Sequence, residues 1–218
     1  MNFFDINYIF FTILDYPMSY LEFFGTIAGG VAVWLSAKEN IWSWWIGIVN
    51  VILFFFLFYQ IQLYPDMFLQ VFFLITNLMG WWQWKYPKEG QENTSNELKI
   101  SSLSRKNIVL LLALGMVFTG IFGSFTQHLH QLLPLFFSKP SAFPYLDSFT
   151  TVMSIITTFL MIRKKVECWY LWLLIDLIST YMYFVKGVKF VGLEYALFCV
   201  IATFGAINWT KQYRLNLS

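Results

Sequence analysis

Long apolar runs separated by short polar turns repeat along most of this chain. Seven of the runs, taken with their flanks, are long enough to cross a bilayer as helices, since a spanning helix needs about 17–25 residues. The predicted spans are 20–36, 42–59, 66–84, 108–125, 147–162, 169–184 and 191–209. The pattern therefore predicts an all-α integral membrane protein with seven transmembrane helices.

Composition agrees with this class. Apolar residues make up 58% of the 218 residues and charged residues 12%, whereas an ordinary soluble domain has about 25% charged residues. Residues 1–17 are aromatic and interrupted by acids, so we expect an N-terminal segment lying at the membrane interface as a helix. The hydrophilic stretch 87–106 is predicted to be a solvated cytoplasmic linker, and 127–145 an external loop. No basic block of the kind that binds nucleic acid is present.

Lysine and arginine residues are distributed unevenly between alternate loops of such a chain. Eleven of the 14 basic residues fall on one side of the membrane and three on the other. The larger group is Lys38, Lys85, Lys88, Lys99, Arg105, Lys106, Arg163, Lys164, Lys165, Lys211 and Arg214; the smaller is Lys139, Lys186 and Lys189. Because cytoplasmic loops are enriched in basic residues, the N-terminus is predicted outside and the C-terminus, with the tail 212–218, in the cytoplasm.

The chain also contains an internal repeat. Residues 44–50 overlay 170–176 at an offset of 126, which pairs Asn50 with Asp176. Residues 80–84 overlay 205–209 at an offset of 125, so a one-residue deletion in the intervening turn is expected. The repeats are predicted as bundles 18–86 and 146–211, joined by a linker helix, 107–126. This 3+1+3 arrangement is a parallel repeat, as in SWEET transporters, and predicts a substrate site between the halves.

Polar residues share one face of the sixth predicted span. Trp169, Trp172, Asp176, Thr180 and Tyr183 lie on one side of a helix with 100° per residue. A carboxylate at membrane depth is costly unless it faces a cavity or a partner, so we expect this face to line a solute site. The alternatives are interface anchoring for the two tryptophans and a structural hydrogen bond between helices for Asp176.

Further candidates lie on the other spans. Gln70, Asn77, Trp81 and Trp84 share a face of the third span. The full set of predicted substrate-binding residues is Gln70, Trp172, Asp176, Asn50, Trp169, Asn77, Asn208 and Tyr183, with Tyr59, Trp81 and Tyr195 as possible gates. The alternative for Gln70 and Asn208 is a structural hydrogen bond, and for Asn50 it is a bond to Asp176 across the pseudo-twofold axis. For the tyrosines the alternative is an interface belt. Glu194 has no assigned role.

Several of these motifs together resemble a known family. They include Trp45-Ile46-Gly47-Ile48-Val49-Asn50, Leu63-Tyr64-Pro65-Asp66, Gly80-Trp81-Trp82-Gln83-Trp84, Trp169-Tyr170-Leu171-Trp172 with Asp176, and Asn208-Trp209. The combination resembles the PnuC family of bacterial vitamin transporters, whose usual substrate is nicotinamide riboside. The resemblance implies a SWEET-like fold in the bacterial inner membrane, facilitated diffusion with trapping by cytoplasmic phosphorylation, a binding glutamine at Gln70, and a homo-oligomer such as a trimer.

The candidate residues suit such a substrate. Nicotinamide riboside carries a flat pyridinium cation, which Trp169 and Trp172 could stack against and Asp176 could balance. Related transporters of the same architecture carry thiamine or riboflavin. Thiamine is also a flat cation, whereas riboflavin is neutral and larger, and both remain alternative substrates. A receptor or assembly subunit is the alternative of another class. We expect neither an enzyme nor a cofactor or metal site, because no predicted span holds a histidine or an acid pair at helical spacing.

Overall fold

The computed structural model describes residues 4–13, 16–60, 64–93, 96–132, 143–185 and 189–215. Their helices are α1 (Tyr20–Ala37), α2 (Trp42–Gln60), α3 (Tyr64–Lys85), α4 (Arg105–Leu132), α5 (Pro144–Ile162), α6 (Glu167–Val185) and α7 (Lys189–Leu215). Within the described ranges, six of the helices are long and apolar enough to cross a membrane. The exception is α3, which has 22 residues but carries the polar side chains Gln70, Asn77 and Gln83.

The chain divides into two compact units. Unit 1 is Met1–Lys99 and unit 2 is Ile100–Ser218. In unit 1, α2 packs against both α1 and α3; in unit 2, α5 packs against α4 and α6, and α6 packs against α7. The helix predicted as a linker, α4, thus lies along α5, where Gly115 faces the Met153 side chain and Gly123 faces Tyr145. Because α4 continues through Leu132, the first part of the predicted external loop, 127–132, is helical.

The N-terminal segment contains a β-hairpin, so the prediction that it is helical was wrong. Strand β1 (Ile9–Ile13) pairs antiparallel with β2 (Tyr16–Ser19). Aromatic and β-branched residues dominate β1, which favours extended backbone. The ring of Phe10 lies 4.7 Å from that of Tyr20 and 5.0 Å from that of Phe23, measured between ring centroids. The hairpin is thereby attached to the beginning of α1.

A second contact ties the N-terminal segment to the end of α2. The amide nitrogen of Gln60 donates to Phe4 O at 2.6 Å, and Ile6 N donates to the amide oxygen of Gln60 at 3.2 Å. One side chain thus satisfies two backbone groups of a segment outside any helix, where unpaired polar groups would be costly.

The turn between α1 and α2 has the same hydrogen bonds as the turn between α5 and α6. The matching donors and acceptors are Asn40 N to Leu35 O with Lys165 N to Leu160 O, Ser43 N to Asn40 O with Cys168 N to Lys165 O, and Trp44 N to Ile41 O with Trp169 N to Val166 O. Glu39 and Lys164 both adopt the left-handed conformation, with φ of 60° and 47°. Every member is separated from its counterpart by 125 residues.

This register corrects the offset of 126 that was predicted for residues 44–50. Helices α2 and α6, and the first residues of α3 and α7, also differ by 125, so no deletion separates the repeats. A slip of one residue matters because it rotates a helical position by 100°. Asn50 is therefore the counterpart of Ile175, and Asp176 that of Val51, rather than Asn50 of Asp176.

The stretch 98–104 is ordered, and the prediction of a solvated linker does not hold there. Leu98 and Ile100 are 5% and 2% exposed, and Leu98 N donates to Trp84 O at 2.9 Å. Ser101 forms a bridge with Lys165. In addition, Ser102 Oγ and Leu103 N both donate to Glu167 Oε1, at 2.5 and 2.9 Å. The chain entering α4 is therefore held on the α5–α6 turn.

Candidate functional site

The polar face predicted on α6 is turned towards the interior of unit 2. Asp176 is 5% exposed, whereas Leu177 and Tyr181 on the outer face are 54% and 59% exposed. The Thr180 hydroxyl donates to the backbone oxygen of Asp176 at 2.7 Å, a bond that leaves the carboxylate of Asp176 uninvolved. The helix thus presents a carboxylate inside an apolar bundle.

No basic side chain neutralises this carboxylate within the described ranges. Tyr195 and Cys199 of α7 lie within electrostatic range of it, and both are neutral groups at ordinary pH. A buried charge without a partner is costly. Burial of the Asp176 carboxylate is therefore less costly when it is protonated or when a cation from outside the protein lies next to it.

Two tyrosines stack on each other farther along the helical face that carries Asp176. The rings of Tyr183 in α6 and Tyr195 in α7 have centroids 5.4 Å apart and an interplanar angle of 10°. Tyr183 is seven residues after Asp176, two helical turns along the same face. A flat aromatic surface and a carboxylate therefore occur together in unit 2, and both tyrosines were among the predicted residues.

The two tryptophans of this face differ in their surroundings. Trp169 is fully buried; it covers Gly205 and meets Trp209 edge to face, with centroids 5.6 Å apart. It is therefore part of the packing core, not an interface anchor. Trp172 is partly exposed, and among the described residues its indole nitrogen has no hydrogen-bond partner. The indole nitrogen of Trp169 likewise has no partner among the described residues, so the two tryptophans differ in exposure and not in hydrogen bonding.

In unit 1 the predicted amides lie on the inner sides of α2 and α3. Gln70 is 8% exposed. Asn50 donates from its amide nitrogen to Gly25 O at 2.8 Å, which ties α2 to α1. Asn77 donates to Phe73 O one turn earlier in α3, at 2.8 Å. Asn50 thus forms a structural hydrogen bond, as in its alternative role, but the partner is the backbone of α1 and not Asp176.

At one contact between the second and third helices, the large and the small residue trade places between unit 1 and unit 2. This exchange was not predicted from the sequence. In unit 1 the Asn77 side chain lies against Gly47, with no room for a β-carbon. The corresponding positions in unit 2, 125 residues later, hold Ala202 and Trp172. The large side chain stands on the third helix of the repeat in unit 1 and on the second in unit 2. The correct offset would have revealed this exchange from the sequence.

The remaining candidates lie nearer the surface. Tyr59 is 58% exposed. Trp81 contacts the ring of Trp45 at 5.4 Å between centroids, and Asn208 is half-buried in α7. Within the described ranges, no group of three or more histidine, cysteine, aspartate or glutamate residues is placed to hold a metal ion.

Apolar helices of spanning length that carry a buried carboxylate and a buried amide on inner faces indicate a multi-pass membrane protein with a site for a small polar solute. The sequence profile described as "Nicotinamide mononucleotide transporter" matches residues 19–211. The chain belongs to this family.

Relatives extend over nearly the whole chain. The nicotinamide riboside transporter PnuC of Escherichia coli is 34% identical, covering 98% of this chain and 96% of its own length. PnuC of Neisseria mucosa is 27% identical over 89% of this chain and 73% of its own. A riboflavin/roseoflavin transporter, RibM of Streptomyces davaonensis, is 22% identical over 94% and 91%. The crystal structure of the vitamin B3 transporter PnuC matches with a TM-score of 0.69 and 25% identity, covering 90% of this chain and 83% of that one.

Proposed function

We propose that this protein takes up nicotinamide riboside across the bacterial inner membrane. The observation that carries the proposal is the buried Asp176 carboxylate, which lacks a basic partner in the described part of the chain and adjoins aromatic rings. A pyridinium cation supplies both the missing positive charge and a flat surface for stacking. The 34% identity to a nicotinamide riboside transporter of E. coli over nearly the full length supports the same substrate.

Each group of the substrate finds a matching side chain in this proposal. The pyridinium ring stacks on Trp172 or on the Tyr183 and Tyr195 rings, a contact worth up to about 2 kcal/mol when desolvated, and Asp176 balances its charge. Gln70 of unit 1 remains a candidate for hydrogen bonds to the carboxamide or the ribose hydroxyls, on the family resemblance alone. Trp169 is left out because its ring is enclosed by Gly205 and Trp209.

The proposal also includes the membrane topology and the transport mechanism. All seven helices cross the membrane in a 3+1+3 arrangement, with the N-terminus outside and the C-terminus in the cytoplasm, as the distribution of basic residues indicates. Uptake is facilitated diffusion with alternating access, and cytoplasmic phosphorylation traps the vitamin. The functional form is a homo-oligomer such as a trimer.

The second candidate substrate is riboflavin, favoured by the match to RibM at 22% identity. Riboflavin is neutral and does not need the charge of Asp176. Thiamine, a flat cation, would use the carboxylate as nicotinamide riboside does.

Titration calorimetry of the purified protein with nicotinamide riboside, thiamine and riboflavin in parallel tests the substrate. We expect binding of nicotinamide riboside and much weaker binding of the other two. Binding of thiamine or riboflavin without nicotinamide riboside would refute the proposal. Uptake into proteoliposomes should not depend on proton or sodium gradients, and accumulation driven by either gradient would reject facilitated diffusion.

A further inference from the structure

A groove on the outer surface of unit 2 runs between the beginning of α6 and the end of α7. Its volume is about 630 Å³. Its apolar part is formed by Leu173, Ala206, Ile207 and Leu215 together with the methyl-bearing Thr203; at its end stand Tyr170, Thr210, Lys211 and Arg214. The groove is thus apolar along its length and basic at one end.

The basic end lies at the beginning of α6 and the end of α7. Lys211 and Arg214 are in the last turns of α7 and are both exposed, and Tyr170 is in the first turn of α6. The hydroxyls of Tyr170 and Thr210 are 2.9 Å apart and bridge the two helices. Among the described residues that line the groove there is no acidic side chain to balance Lys211 and Arg214.

The repeat places larger side chains at the corresponding positions of unit 1. The positions of Tyr170, Ala206 and Ile207 are held in unit 1 by Trp45, Trp81 and Trp82, 125 residues earlier. Trp81 contacts both Trp45, at 5.4 Å, and Trp82, at 6.4 Å between ring centroids. In unit 1 Trp81 and Trp82 line a smaller hollow of about 490 Å³, so the replacement of Trp81 by Ala206 accompanies a larger groove in unit 2.

The two basic residues are likewise peculiar to unit 2. The counterpart of Lys211 is Tyr86, whose ring packs on Trp82 at 4.6 Å. Helix α3 ends at Lys85, whereas α7 continues past the corresponding Thr210 to Leu215. The extra turn of α7 therefore carries Arg214 on a part of the helix that α3 lacks.

We propose that this groove binds an anionic phospholipid. Its acyl chain lies along Leu173, Ala206 and Ile207, and its phosphate is held by Lys211 and Arg214. Basic pockets between membrane helices at the surface of the bilayer recognise anionic headgroups in this way. The proposal concerns the outer surface of unit 2 and is independent of which vitamin the protein carries.

Native mass spectrometry of the delipidated full-length protein, titrated with phosphatidylglycerol or phosphatidylcholine, tests this site without any vitamin present. We expect tighter binding of phosphatidylglycerol. The double variant Lys211→Gln/Arg214→Gln should weaken the binding of phosphatidylglycerol about 30-fold. Each basic residue near an anionic headgroup contributes about fivefold in affinity. The matched control Lys88→Gln/Lys99→Gln removes two exposed lysines outside the groove and should leave the affinity unchanged.

Ala206→Trp copies unit 1 and should abolish phosphatidylglycerol binding by filling the groove; if this variant does not fold, the double variant alone decides. Inorganic phosphate should not compete, because it lacks the acyl chain. Equal binding of the two lipids, or unchanged phosphatidylglycerol affinity in the double variant, would overturn the proposal. The proposal would also be overturned if the variants changed the oligomeric state of the protein and neither lipid were preferred. The groove would then be a contact between copies of this chain.

Discussion

The ring of Trp169 covers Gly205 so closely that a β-carbon at position 205 would stand 2.5–2.7 Å from three ring atoms. Trp169 cannot move away easily, because it is fully buried and rests on Trp209. Unit 1 repeats the relationship with Trp44 over Gly80. Close approach of a glycine backbone to a tryptophan ring thus joins the second and third helices of each repeat. This makes Gly80 and Gly205 packing positions, although glycine is also common at hinges.

Gly205→Ala should destabilise the protein. The added methyl group forces Trp169 or α7 to shift, and overpacking of this kind costs about 1–3 kcal/mol. The matched control is Gly120→Ala in α4, where a β-carbon meets nothing within 4 Å; it should stabilise by roughly 0.5–1 kcal/mol through helix propensity. Thermal unfolding in detergent measures both, and a Gly205→Ala protein as stable as Gly120→Ala would contradict the packing role.

Asn50→Asp should weaken the contact between α1 and α2. The substitution removes the amide donor to Gly25 O and places a carboxylate next to a carbonyl, which costs about 1–3 kcal/mol for the unsatisfied group. Asn107→Asp is the control, since Asn107 is exposed in the first turn of α4, where a negative charge is favourable. Equal melting temperatures for the two variants would mean that the Asn50 bond does not hold the helices together.

Asp176→Asn removes the negative charge of the side chain with little change in its shape, and so tests whether the charge contributes to binding. It keeps the size of the side chain, so we expect the protein to fold. Affinity for nicotinamide riboside should fall on the order of 30-fold or more, because removing one partner of a buried charge pair costs about 2–5 kcal/mol. The reduced, uncharged riboside serves as the control ligand and should lose little affinity by calorimetry. A parallel loss for both ligands would assign Asp176 a structural role instead.

Glu167→Ala should release the chain that precedes α4. The Glu167 carboxylate accepts from Ser102 Oγ and Leu103 N, so its removal frees the segment around them. Trypsin should then cleave after Lys99, Arg105 or Lys106 several times faster, since proteolysis follows local opening. Glu92→Ala removes an exposed glutamate from the same stretch between α3 and α4 and is the comparison. If both variants are cleaved at the wild-type rate, the Glu167 contact does not order the segment.

The bond between Tyr16 and Glu22 predicts a dependence on alkaline pH. Tyr16 Oη donates to Glu22 Oε1 at 2.6 Å; this hydrogen bond, with burial and the nearby negative charge, raises the pKa of Tyr16 from 10.0 to about 12. Because the protonated form is the one favoured by folding, its contribution to stability is present below pH 10 and is lost as the pH rises through 12.

The difference in melting temperature between the wild type and Tyr16→Phe should therefore be constant below pH 10. It should shrink above that pH in a series of thermal unfolding measurements. Tyr86→Phe, an exposed tyrosine in the chain after α3, controls for general effects of alkali. A difference that persists unchanged above pH 12 would refute this account.

Much of the architecture follows from the sequence because helix length and hydropathy are local properties. The span predicted at 42–59 is α2, Trp42–Gln60, and the charged turn at 163–165 does separate α5 from α6. The hairpin at 9–19 could not be separated from an interfacial helix, since a short aromatic run suits both structures.

The register of the repeat was harder to predict, because apolar helices offer many similar alignments. At an offset of 126, Trp44 matches the aromatic Tyr170 and Asn50 matches the polar Asp176. The turn hydrogen bonds and the Trp–Gly contacts nevertheless require 125. The predicted pairing of Asn50 with Asp176 failed for this reason alone.

By itself, the sequence determined the class of protein, the family and the presence of a carboxylate on a polar helical face, because these depend on composition, periodicity and motifs. Only the tertiary structure decided how those residues are used. It enclosed Trp169 against Gly205, stacked Tyr183 on Tyr195 and left Asp176 without a basic neighbour in the described chain. Contacts between helices distant in sequence determine burial and pairing, and no local pattern contains them.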